Sequence, residues 1–385
     1  MRNGGHVIST PTTIILGAGA SYEFGAPLGA DLWTRIARDT RKIHETYESE
    51  RRGTLARSPI VVISPSELPP SVTNPKAVAY LEETKALLSD EAAIDAIFQS
   101  PGAASRVGNN PLAVMSHVAE RVSAANVQSS VDDFLRDHPS LVPVLRVLIA
   151  AEIFEGLYES VDKTPGQWRL RQRLFESRFA LPHHNKEKLQ VDNWIMRFVG
   201  ACRPLLLSAG KIITPVTIVS FNYDRVLETV LSRFWPLTER KYPPLNECFK
   251  FLYPYGCFGE FPETVNEPAA WIREQSKGIG LANGEDSRET KAVRAAVESA
   301  RQLFAVGFSF TETNIALLGL KPAHADKLFV QNYGNRDTRL RRLLEQRFGG
   351  ARADDATLAR LVNDGFFEQR GPEHVGLKRV QVGFG

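Results

Sequence analysis

The feature that most constrains this chain is a short apolar run that ends on a glycine-rich loop. Thr12-Thr13-Ile14-Ile15-Leu16 is followed directly by Gly17-Ala18-Gly19-Ala20-Ser21. A β-branched run of this length, bounded by glycine, predicts a strand buried on both faces, as in parallel sheets. Beyond the loop, from residue 28 to 43, Leu32, Trp33, Ile36 and Ala37 recur at helical spacing. The expected order is therefore strand, loop, helix. Such a unit brings free backbone N–H groups and the positive end of a helix dipole to one spot, which suits a pyrophosphate. Small side chains at Gly17, Ala18, Gly19 and Ala20 let the backbone approach a ligand, and Ser21 adds a hydroxyl donor. Dinucleotide binding is the expectation. A plain tight turn between strand and helix is the alternative. The loop is not G-x-G-x-x-G, because Tyr22 stands at the third glycine position, and no GK[ST] follows to make a P-loop.

Strand character returns in the second half of the chain, at 216–221, 249–253, 301–308 and 327–331. Helical spacing lies between these runs, at 223–234, 288–300 and 313–318. Strands alternating with helices predict an α/β fold, a Rossmann-like parallel sheet with helices on both faces. The sheet core is expected at about 12–35 and 210–335. Residues 36–209 read as a large, mostly helical insertion, clearest at 141–158, 168–179 and 191–207. Within it, 52–75 is rich in Pro and Ser and holds an apolar patch at 60–63. Residues 336–385 read as a C-terminal extension with helices at 338–348 and 355–363.

Composition narrows the function classes. Hydrophobic residues make up 43% and charged residues 24% of the 385 positions, as in an ordinary globular protein. The 47 basic and 44 acidic residues nearly balance, so overall charge gives no argument for nucleic-acid binding. The three cysteines, Cys202, Cys248 and Cys257, form no CxxC pair, which argues against a disulfide framework or a thiolate zinc site. No metal is expected. No apolar run approaches the ~18 residues of a transmembrane helix, and residues 1–13 are too polar for a secretory signal. A cytoplasmic protein with no membrane partner is expected.

Four strand ends carry glycine or polar residues, where α/β folds place their chemistry. They are Gly17 to Ser21; Asn222 and Asp224 in Phe221-Asn222-Tyr223-Asp224-Arg225-Val226-Leu227-Glu228; Tyr255-Gly256; and Val306-Gly307-Phe308-Ser309-Phe310. With the segment Ser130-Val131-Asp132-Asp133-Phe134-Leu135, this order resembles the sirtuin-like (SIR2) family. The closer likeness is to the bacterial SIR2-like domains of antiviral defence proteins, over residues 12–335. The resemblance implies that NAD+ is the substrate. Gly17 to Ser21 would hold the pyrophosphate, with Pro27 among the cofactor-binding residues. Asn222 and Asp224 would sit near the nicotinamide ribose, Gly307 and Ser309 near the adenosine ribose, and Gln331 and Asn332 near the adenine. Asn222, Asp224 and Tyr255 would be the catalytic set. The implied activity is hydrolysis of NAD+ to nicotinamide and ADP-ribose. The implied assembly is a homo-oligomer, a complex with a separate sensor or ATPase protein, or both.

Two departures bear on that expectation. Sirtuin-like enzymes carry a histidine just before the glycine at the third strand end, but here Tyr255 precedes Gly256. A tyrosine, with an ordinary pKa near 10, is a poor base at neutral pH. Either another residue supplies the base, with His117 and His138 as candidates, or the chain is a catalytically impaired scaffold that binds NAD+ or ADP-ribose, which is a second expectation. The four zinc-binding cysteines of the deacylases are missing, which disfavours protein deacylation. Plainer roles stand beside each candidate. Asn222 can cap a helix, Asp224 can complement a helix dipole, Tyr255 can be a packed aromatic, and Ser309 a turn residue. Asp132 and Asp133 read as capping residues, His183-His184 as loop, and Cys257 as a small buried residue. Arg339, Arg341, Arg342 and Arg347 form a basic stripe. It reads as a solvated face or as a weak patch for an acidic partner or nucleic acid.

Overall fold

Strand β1 (Thr12–Leu16) is buried along its whole length and lies inside a six-stranded sheet. The computed structural model describes residues 11–22, 24–27, 29–55, 74–124, 131–161, 166–176, 178–180, 190–196, 198, 216–235, 244–280, 287–331, 338–349 and 352–354. The other sheet strands are β2 (Val216–Ser220), β3 (Phe249–Leu252), β4 (Gln302–Val306), β5 (Leu328–Gln331) and β6 (Arg352–Asp354). Their spatial order is 3-2-1-4-5-6, and every pairing is parallel. Ile14 pairs in register with Ile218 on one side and Phe304 on the other. This is the order of the doubly wound Rossmann fold, which reverses direction between β1 and β4.

The connecting helices follow from the sequence. Helix Val226–Phe234 buries Val226, Leu227, Val230 and Leu231, one apolar stripe at helical spacing. Helix Arg288–Ser299 starts where Ser287 Oγ accepts from Thr290 N, and it buries Thr290, Val293 and Val297. Helix Glu312–Leu318 is capped by Thr311 and stops at Gly319, which takes the left-handed conformation at φ +63°.

The chain divides into two compact units, Met1–Gly25 with Arg171–Phe261 and Ala282–Gly385, and Ala26–Leu170 with Pro262–Leu281. The boundaries differ from the sequence reading. The first segment of the second unit begins ten residues before the expected insertion and ends at 170, not 209, and its second segment, Pro262–Leu281, falls within the expected sheet core. Residues 352–354, inside the expected C-terminal extension, form β6 and pair with β5. The second unit contains helices Gly29–Leu55, Pro75–Leu87, Pro111–Ala124 and Val142–Leu157. The last is buried on almost every side.

The stretch 168–179, expected to be helical, holds strand Trp168–Leu170, a 3-10 turn at Gln172–Leu174 and the start of strand Arg178–Ala180. Trp168–Leu170 pairs antiparallel with Tyr158–Ser160 and Thr264–Val265. Phe154, Tyr158, Trp168 and Trp271 pack as an aromatic cluster with centroids about 5 Å apart. Near 191, strand Gln190–Asp192 precedes a helical turn at Trp194–Met196. The patch at 60–63 and the helix expected at 355–363 lie outside the described residues. No described helix is long and apolar enough to cross a membrane.

Candidate functional site

The glycine loop after β1 docks backbone to backbone on the loop after β4. Gly17 N donates to Val306 O at 3.0 Å, Gly19 N to Gly307 O at 3.0 Å, and Gly307 N to Gln331 O at 2.9 Å. A Cβ on Gly17 would lie 2.4 Å from Gly307 O, and one on Gly19 would lie 2.7 Å from Gly307 Cα. Gly307 sits at φ +55°, and a Cβ there would lie 2.4 Å from Ala20 N. The glycines are thus required by close approach of two loops. Ala20 N and Ser21 N donate to Gly17 O and Ala18 O. Four of the five loop N–H groups therefore bond inside the protein.

The polar chemistry lies on the other side of β1. Ser21 Oγ donates to Asp224 Oδ1 at 2.8 Å, and Asn222 Nδ2 donates to Ser21 Oγ at 3.0 Å. Asp224 Oδ1 also accepts at 3.1 Å from Val226 N, the first N–H of helix Val226–Phe234, whose N-cap position is Arg225. All three side chains are buried. The direction of the chain follows from donor inventory. An ionised carboxylate only accepts, so Ser21 must donate to it and accept from the Asn222 amide nitrogen. The amide oxygen is then left over, and Asn222 Oδ1 is buried with no partner among the described residues. Burial pushes the Asp224 carboxyl up to about 6, against the lowering effect of the Val226 N–H and the Ser21 hydroxyl.

These groups line a small cavity of about 10 Å³, room for a single water. Its walls include Trp194, Ile218 and Phe251 with the polar Arg225, Glu228 and Tyr253. Trp194 Nε1 donates to Ala20 O at 3.0 Å and fixes that wall to the loop. Arg225 grips Glu228 with two hydrogen bonds, and Tyr253 OH donates to Glu228 Oε2 at 2.6 Å. Burial raises the Glu228 carboxyl, but Arg225 and Tyr253 outweigh it and hold it below its ordinary range. Burial, then Glu228, push the Tyr253 hydroxyl up. Sequence reasoning quoted Arg225 and Glu228 within a motif and gave neither a role. It passed over Tyr253 for Tyr255. The rings of Phe251 and Tyr253 stack at 6.3 Å, and both residues line the cavity.

Tyr255 does not line the cavity. Its ring packs edge-on against Phe221 at 5.4 Å, and its hydroxyl donates to Asn314 Oδ1 at 2.6 Å. Asn314 Nδ2 in turn donates to Ser309 O at 3.2 Å. Tyr255 thus braces the loop after β4. Ser309 is exposed, and Gln331 is buried at the end of β5. Pro27 is buried in the second unit. Asn332, His183-His184, Cys202 and Ser130 lie outside the described residues, as do the side chains of Arg339 and Arg341. Arg342 is exposed, and Arg347 pairs with Glu312.

His117 stacks on Phe98 with its Nε2 3.0 Å from Ile97 O, and His138 packs edge-on against Phe134. Both are integrated into the second unit. Asp133 pairs with Arg136. Burial raises the Cys257 thiol, which disfavours a thiolate nucleophile. Among the described residues one carboxylate group, Asp39, Glu152 and Glu155 in the second unit, converges closely enough to hold a cation. The Lys76 ammonium, 2.5, 2.5 and 2.8 Å from them, supplies that charge.

Fold and site together define a Rossmann-like α/β protein with a buried polar cluster at the carboxyl ends of β1 and β2. No protein-family model matches the chain, and no curated protein matches it.

Proposed function

We propose that the chain is a SIR2-like NAD+-binding effector that hydrolyses NAD+ to nicotinamide and ADP-ribose. The observation that carries this reading is the unpartnered Asn222 Oδ1, buried beside Ser21 and Asp224 at the strand ends where α/β sheets bind ligands. Cleavage of the ribose–nicotinamide bond passes through an oxocarbenium-like state. It calls for fixed polar groups that orient the ribose and an attacking water. A buried acceptor, a hydroxyl and a carboxyl in one hydrogen-bonded chain suit that demand. The motif resemblance adds NAD+ as the substrate. It also suggests bacterial antiviral defence as the setting, with a homo-oligomer or a separate sensor or ATPase protein as the assembly. Purified protein incubated with NAD+ is expected to release nicotinamide, and Asn222→Ala to abolish that release while keeping the fold.

The second reading is a scaffold that binds NAD+ or ADP-ribose without turnover. Tyr255 before Gly256, where the family's histidine is missing, favours it. Calorimetric binding of NAD+ with no nicotinamide release, alone and with candidate partners, would select this reading over hydrolysis.

A further inference from the structure

We infer that Asp224 is the final acceptor of the proton lost by the attacking water, reached through the Ser21 hydroxyl, while Asn222 Oδ1 holds that water in place. This rests on the reading of the chain as an NAD+ hydrolase and supplies its missing base. The cavity has room for one water and is lined by Ser21 and by Asn222, whose Oδ1 has no partner among the described residues. Ser21 Oγ already points its proton at Asp224 Oδ1, 2.8 Å away. Among the described residues no imidazole lines this cavity, and the single described histidine of the sheet unit, His324, lies against Glu298.

The step balances. The water oxygen forms a bond to the ribose C1′ as the C1′–N bond breaks, and that electron pair leaves with neutral nicotinamide. The water proton passes to Ser21 Oγ as the serine proton passes to Asp224. Asp224 then returns the proton to solvent, so that NAD+ and water give ADP-ribose, nicotinamide and one proton. Asp224 never touches the substrate in this scheme; Ser21 and Asn222 do. A carboxyl raised to about 6 by burial matches the task, since a base works best near the working pH. The other titratable groups lining the cavity are Arg225 and Glu228 at the start of helix Val226–Phe234 and Tyr253 after β3. The loop after β1 and the turn Trp194–Met196 bring none to it. Arg225 and Glu228 are paired with each other, and Tyr253 donates to Glu228.

The test measures nicotinamide release by the full chain from about pH 4.5 to 8.5. The wild type is expected to slow about tenfold per pH unit below the Asp224 pKa and to level off above it. Asp224→Asn should lose about 100-fold or more and lack the acid limb. Ser21→Ala should also flatten the profile, read at saturating NAD+. Added formate should partly restore Asp224→Ala, which a merely structural role would not allow. Should either Asp224 variant fail to fold, the Ser21→Ala profile decides. A folded Asp224→Asn that keeps wild-type rate and acid limb overturns the relay and leaves NAD+ hydrolysis standing. Wild-type binding without release overturns the relay and leaves the scaffold reading. Neither binding nor release overturns both.

Discussion

Asp224 both accepts the first N–H of a helix and is a buried titratable group, and its linkage to stability has a definite sign. Its folded pKa of about 6 lies above the ordinary 3.8, so the folded state holds the proton more tightly than the unfolded chain. The contribution is fully present at pH below the unfolded value and is lost as pH rises to about 6. At 1.36 kcal/mol per pH unit the loss is at most about 3 kcal/mol. Urea unfolding of the wild type against Asp224→Asn at pH 4 and pH 7 should reveal it. Their stability difference should change between the two pH values, and an unchanged difference would refute the burial account. Tyr255 gives a second test. Tyr255→Phe removes the bond to Asn314 and should cost about 1 kcal/mol, with NAD+ binding and turnover unaltered. A large loss of turnover would restore Tyr255 to the site. Parity along β3 does not separate Tyr253 from Tyr255; the packing of Tyr255 on Phe221 and Asn314 does, and that was not legible in the sequence.

At the scale of elements, the glycine pairing is the sharpest constraint. Gly307→Ala must place a Cβ in the left-handed region and 2.4 Å from a backbone nitrogen. It should destabilise by about 2 kcal/mol or more in thermal unfolding. Gly29→Ala, where a Cβ meets nothing within 4 Å at the start of a helix, should be neutral or slightly stabilising. Equal melting temperatures for the two variants would contradict the docking of the two loops. The strands of the main sheet were legible because β-branched runs bounded by glycine and polar residues have few other solutions. The role of the glycines was not, since a phosphate cradle and a loop–loop contact ask for the same small residues. The pieces near 168–192 were misread because three-residue strands are too short for a period of 2 to be told from 3.6. Their strand character comes from pairing partners distant in sequence, such as Leu170 with Tyr158 and Trp168 with Val265.

At the scale of the molecule, each compact unit has its own buried polar centre. In the second unit, Lys76 faces Asp39, Glu152 and Glu155, and burial pushes Glu152 up to about 7 despite that ammonium. Lys76→Met leaves the carboxylates uncompensated and should cost about 3–5 kcal/mol. The cost should be smaller at pH 5 than at pH 8, because a protonated Glu152 no longer needs the cation. Urea unfolding at the two pH values measures it, and a cost that does not change with pH would count against the carboxylate account. In the sheet unit, the centre is the chain from Asn222 through Ser21 to Asp224, and the account as a whole stands on it. The most direct measurement is nicotinamide release from NAD+ by the wild-type chain and by Asn222→Ala, each shown to be folded. The account predicts release by the wild type and a loss of about 100-fold or more in the variant. Equal release by both proteins, or neither binding nor release by the wild type, would contradict it.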